Sequence, residues 1–149
     1  MSIQVNEKVS KVALDYFKNG LYCSEAILKA FNEVYNLKLS EKALKMATGF
    51  GTGLGNSKCC CGCITGSVLV TSCILGRTEK SESENPAFEA SKEIHDKFKE
   101  KFKYTCCRAL TKSVEWGKPE HHKNCEKYVV YASEVTENIL KVIDKNIYI

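Results

Sequence analysis

Apolar residues recur at every third or fourth position through most of the chain. Val5, Val9, Val12 and Tyr16 form one such stripe, and "KNG" at 18–20 closes it, with Gly20 placed at the helix C-terminus. Ile27, Ala30, Phe31 and Val34 form a second stripe that begins just after Cys23 and Ser24. Ser40 stands where an N-cap belongs, ahead of a third helix carrying Ala43, Leu44 and Ala47. In "GFGTGLGNSK", glycines at 49, 51, 53 and 55 are too many for that helix to continue. From about Ile64 to Leu75 the chain is apolar on nearly every side, which predicts a helix at the centre of the fold. A polar loop over 76–86 leads to Pro86 in the first turn of a fifth helix, with Ala87, Ala90, Ile94, Phe98 and Phe102 on one face. A short helix or turn and a loop follow. Asn124 is then placed to cap a last helix running through Val129, Ala132, Thr136, Ile139 and Ile143. No segment alternates as a strand would, and there is no internal repeat or interior linker. The pattern predicts one domain over 1–149, an all-α bundle of about five to six helices with a glycine-rich loop.

Size and charge narrow the picture only a little. A chain of 149 residues with 44% hydrophobic content is an ordinary globular domain. The longest apolar run, "GSVLVTSCILG" at 66–76, is too short to span a bilayer, so no membrane partner is expected. The N-terminus reads as an amphipathic helix bearing acidic residues and not as a signal or transit peptide, which makes the cytoplasm the expected compartment. A net charge of +4, with basic and acidic residues interleaved, argues against a nucleic-acid partner.

The nine cysteines change the picture more. Four of them fall within five positions of "SKCCCGCITG", residues 57–66. An odd count, three in a row and no export signal point to metal binding or redox chemistry in place of a secreted disulfide framework. Cys23 sits at the predicted start of the second helix, and Cys61 and Cys63 at the start of the fourth. Cys106 and Cys107 open the short segment after the fifth, and Cys125 follows the Asn124 cap. Helix N-termini carry unpaired N–H groups and partial positive charge, which favour thiolate over thiol. Convergence of these starts would make a thiolate-rich, anion-stabilising pocket. Gly51, Gly53 and Gly55 leave the backbone bare, so their amides could approach a bound anion or inorganic sulfide, although a plain connecting loop explains them as well. Their spacing fails the dinucleotide pattern.

Other residues read more plainly. Cys73, mid-helix among Val70, Ile74 and Leu75, is expected to pack as a small hydrophobe. Cys60-x2-Cys63 and His122-x2-Cys125 have zinc-like spacing, but "KPEHHKN" is polar enough to predict an exposed loop. His95, Trp116 and the charged run 77–103 are expected on a solvated face.

"LYCSEAILKAF", "CGCITG", "CRALT" and "CEKYVVYASE" fall in an order and spacing that resembles the redox-active family named C_GCAxxG_C_C, and "TGFGTGLG" fits it too. The resemblance runs from about residue 8 to residue 140. By position, it implies that the four shared cysteines are Cys23, Cys61, Cys107 and Cys125; Cys107 is preferred to Cys106 because Arg108, Leu110 and Thr111 follow it. Cys63 stands where alanine is usual, and Cys59, Cys60 and Cys106 are additions. A related domain in multihaem split-Soret cytochromes is associated with an iron–sulfur centre, but no C-x-x-C-H haem site occurs here.

Four thiolates from four segments are a normal set for a [2Fe–2S] or [4Fe–4S] cluster. The expectation is an iron–sulfur redox protein, an electron carrier or small reductase acting with a redox partner protein. Its ligands would be Cys23, Cys61, Cys107 and Cys125. At least two of Cys59, Cys60, Cys63 and Cys106 are expected to bind iron or bridging sulfur as well, giving more than four irons per chain, as two clusters or one larger one. A disulfide or persulfide exchange protein, working between Cys61 or Cys63 and Cys107, is the alternative, as is a zinc or soft-metal module. Whether the chain is an enzyme, and whether it forms a homodimer, stays open at this point.

Overall fold

The nearly all-apolar stretch becomes helix α5, Gly62–Leu75, and the bundle is assembled around it. The computed structural model describes residues 8–144. In chain order its elements are α1 (Val9–Lys18), α2 (Cys23–Val34), α3 (Glu41–Lys45), a 3-10 turn (Thr48–Phe50), the single turn α4 (Gly51–Leu54), α5, α6 (Asn85–Phe102), α7 (Cys107–Leu110) and α8 (Pro119–Asp144). No strand occurs among the described residues. Val5, assigned above to the first stripe, lies outside them.

Helix α5 packs against α2, α6 and α8, and α1 lies across α2 and α8. Ile27 and Phe31 of α2, Val70 of α5, Ile94 and Phe98 of α6 and Val129 of α8 are fully enclosed between them. Three of the expected stops and starts hold. Gly20 N–H bonds Phe17 C=O and Leu21 N–H bonds Tyr16 C=O, a Schellman closure of α1 with Gly20 at φ 114°. Ser40 Oγ accepts from Ala43 N–H at 3.1 Å, and Pro86 stands in the first turn of α6.

The contact that positions the cysteines is the crossing of α2 over the start of α5. A Cβ on Gly66 would lie 2.8 Å from Ser24 Cα, and one on Gly62 would lie 2.5 Å from Cys23 Sγ. The absence of two side chains one turn apart thus lets the N-terminus of α2 rest directly on α5, and Ser24 Oγ fixes it by donating to Ala47 C=O at 2.8 Å.

Two expectations need correction. The last helix starts at Pro119, not after Asn124. Proline suits a first helical position because its fixed φ is already helical and its missing N–H has no partner there. Asn124 is therefore inside the helix, and its side-chain amide donates to Leu110 C=O at 3.0 Å. Cys125 consequently lies in the second turn and not at the helix's positive end. Cys73 is exposed and is not core. Thr65, Leu69 and Cys73, at i, i+4 and i+8, form the less covered face of α5, and a helix apolar all round gives no sign of which face that will be.

Candidate functional site

Five sulfurs line one cleft where α2, α5, α7 and α8 meet: Cys23, Cys61, Cys63, Cys107 and Cys125. The cleft holds about 390 Å³ of empty space, its mouth included. Each sulfur arrives by a local device. Cys23 is the first residue of α2, whose start is fastened by Glu25, its carboxylate accepting from Tyr22 N–H at 3.0 Å. Cys61 immediately precedes α5, with its own N–H on Thr105 C=O at 2.7 Å, and Cys63 is the second residue of that helix. Cys107 opens α7, its carbonyl accepting from Thr111 Oγ1 at 2.6 Å. Cys125 comes from α8, which grips the end of α7 where Tyr128 Oη and Asn124 Nδ2 both donate to Leu110 C=O at 3.0 Å.

The five thiols are electrostatically unequal. Cys61 is held well below the ordinary thiol value because the Cys107 and Cys63 S–H groups donate to its sulfur. Burial opposes this, and the amides of Cys63 and Ile64 at the start of α5 add to it. The donors move the other way. Burial pushes Cys63 well up, aided by contact with the Cys23 and Cys61 sulfurs. Cys107 is raised first by its bond to Cys61 and then by burial. Burial, with the charges of Cys61 and Cys23, pushes Cys125 up to about 12. Cys61 is thus the sulfur that neighbouring thiols and helix amides favour as thiolate. Tyr22, Phe17 and Tyr128 supply apolar walls, which strengthen every such interaction by excluding water.

The other predicted residues fall elsewhere. Cys59 and Cys106 are joined to each other as a disulfide, and neither lines the cleft. Cys60 is half-buried beside it, its thiol raised chiefly by burial. Gly51 and Gly53 are explained by close approach of the chain: a Cβ would meet Tyr22 Cβ at 2.9 Å and Cys59 N at 2.4 Å respectively. Gly55 has open space around it, and Thr52 is the loop residue that lines the cleft. Thr52, Gly53, Leu54, Gly55 and Asn56 all have positive φ, so the loop winds left-handed past the site.

His121 and His122 are not in an exposed loop; both line the cleft from the first turn of α8. His121 is buried, packs its ring tilted against Trp116 with centroids 4.2 Å apart and accepts Gly117 N–H at Nδ1 at 3.0 Å, which puts the neutral ring's proton on Nε2. Burial, then the nearby His122 and Lys58, hold it below its ordinary value. Trp116, expected on a solvated face, is half-buried and packs on His121 behind the cleft lining, with Lys58 Nζ 4.5 Å over its ring. The signal was present in the sequence: once Pro119 is taken as the helix start, His121, Cys125 and Tyr128 share one face at i, i+4 and i+7. Among the described residues, no three Cys, His, Asp or Glu side chains are grouped to hold a single metal ion. The sulfurs stand around a cleft and not about a common point. Also among the described residues, no helix is long and apolar enough to cross a membrane.

The sequence model of the family described as "Putative redox-active protein (C_GCAxxG_C_C)" matches residues 21–139. An uncharacterized protein of Archaeoglobus fulgidus is 26% identical over 143 residues, covering 91% of this chain and 95% of the relative. No solved structure matches.

Proposed function

Because the chain belongs to the C_GCAxxG_C_C family of redox-active proteins, we propose that its five-thiol cleft is a redox centre that holds an iron–sulfur cluster. The observation that supports this most is the gathering of sulfur from four chain segments around one largely apolar cleft. The donor set fits such a group. Thiolates are its normal ligands, Cys61 is held well below the ordinary thiol value, and Cys63 and Ile64 amides aim at that sulfur as amides do where they tune a cluster's potential. Cys23, Cys61, Cys107 and Cys125 would be the ligands, with Cys63 as a fifth thiol within the same cleft. Bound there, the group would supply one-electron transfer. The chain's own part is to hold the sulfurs, exclude water with Tyr22, Phe17 and Tyr128, and present His121 with its proton on Nε2.

Serine replacement tests the reading. Cys23→Ser, Cys61→Ser and Cys107→Ser should each lose most of the iron and acid-labile sulfide of anaerobically purified protein, whereas Cys73→Ser should retain both. Full iron content in Cys61→Ser would overturn it. A second reading, thiol exchange within the cleft, is favoured by the bonded Cys61 and Cys107 thiols. It predicts colourless protein in which, of the five cleft thiols, those two alone are reactive.

A further inference from the structure

Outside the cleft, Lys58–Cys61 and Thr105–Arg108 run side by side in opposite directions. Arg108 N–H donates to Lys58 C=O at 3.0 Å and Cys61 N–H donates to Thr105 C=O at 2.7 Å. Between these two bonds lie Cys59 and Cys106, disulfide-bonded, 47 residues apart in sequence and 4.4 Å apart at Cα. These two backbone bonds flank the pair and set the two cysteines side by side. Their surroundings differ: Cys59 is exposed, whereas Cys106 is half-buried and adjoins Cys107 of the cleft.

We infer that Cys59 and Cys106 form a thiol–disulfide exchange couple acting on dithiols and disulfides, with Cys59 as the sulfur that meets the outside reactant. An exposed disulfide is of the labile kind, and attack on it is governed by which sulfur can be reached. An incoming thiolate attacks Cys59 Sγ. The new S–S bond forms as the Cys59–Cys106 bond breaks, and Cys106 leaves with the electron pair and takes a proton from solvent. The reactant's second thiol then attacks the mixed disulfide and frees Cys59, which is protonated in turn. The external dithiol is oxidised by two electrons and the protein disulfide reduced by two. Run backwards, the couple reduces an external disulfide. This site is separate from the cleft and does not require that the cleft hold iron. It gives two of the additional thiols of "CCCGC" and "TCC" a use of their own.

The test is alkylation trapping of the anaerobically purified full chain, equilibrated in glutathione buffers of graded ratio and read by peptide mass spectrometry. Trypsin separates the two sulfurs, because Cys59 follows Lys58 and Cys106 lies between Lys103 and Arg108. Fragmentation then distinguishes Cys59 from Cys60 and Cys61. The expected result is a linked Cys59–Cys106 species in which both thiols convert together at one glutathione ratio. In Cys106→Ser, oxidised glutathione should add to Cys59. In Cys59→Ser, addition to Cys106 should be slower by about tenfold, as expected of a less accessible thiol. Independent conversion of the two thiols, or a link from Cys59 to a different cysteine, would overturn the inference. So would loss of iron from Cys59→Ser with no linked species in the parent protein, since the two would then be ligands. The iron content of Cys61→Ser answers the separate question of the cleft.

Discussion

At Gly62 a single hydrogen atom makes room for the Cys23 sulfur. A side chain there would meet Cys23 Sγ at 2.5 Å and Phe50 C=O at 3.1 Å, so alanine must push the α2 start away from α5. Gly62→Ala is expected to destabilise the fold by roughly 1–3 kcal/mol, the usual cost of overpacking, and to displace Cys23 from the cleft. Urea unfolding of the variant measures the first effect, and its iron content the second. The unequal thiols give a further residue-scale outcome in metal-free protein, where the ordinary thiol value is 9.0. Cys61 titrates below that value when folded, so its contribution is present above pH 9.0 and is lost as pH falls through its folded pKa. Cys125 titrates near 12 when folded, so its contribution is present below 9.0 and is lost as pH rises from 9.0 towards 12. The two slopes have opposite signs and meet near pH 9. Cys125→Ser should lessen the alkaline slope, the rest of which Cys63 and Cys107 keep, and leave the acid side unchanged; an equal alkaline slope in the variant would contradict the assignment.

Among the elements, the left-handed loop is where local conformation and site meet. Thr52 lines the cleft at φ 52° although it is β-branched, and Leu54 follows at φ 58° with its side chain exposed. The left-handed region costs a residue with a Cβ about 1–2 kcal/mol, and glycine gives part of that back as unfolded-chain entropy. Leu54→Gly should therefore raise stability by about 0.5–1 kcal/mol, read as a higher thermal midpoint, because the half-exposed side chain gives up little packing. Glycines at alternate positions announced a non-helical turn in the sequence, but nothing announced that Thr52 and Leu54 would share its handedness. Periodicity and caps fared better, since Ser40, Pro86 and Gly20 act through chemistry local to the chain. Pro119 acts locally too, and weighing the polarity of "KPEHHKN" above it misplaced the start of α8. Burial of His121 by Trp116 and exposure of Cys73 depend on which elements pack where, which a one-dimensional pattern does not carry. The placing of Cys23, Cys61, Cys63 and Cys107 at helix starts was readable from local context, and that of Cys125 was not, because α8 begins at Pro119. The pairing of Cys59 with Cys106 was not, because it arises from two segments 47 residues apart lying side by side.

For the molecule as a whole, the centre exists only in the folded state. Cys23 arrives with α2, Cys61 and Cys63 with α5, Cys107 with α7 and Cys125 with α8, and no short peptide brings two of these segments together. A group bound across them ties the packing of α2, α7 and α8 to α5, so binding free energy becomes folding free energy. The account therefore rests on whether the cleft is filled in the protein as it is made. Iron and acid-labile sulfide, counted per chain on wild-type protein purified anaerobically, decide this most directly. A brown protein containing both in comparable amounts is the predicted result; a colourless one with zinc alone, or with no metal, would contradict it.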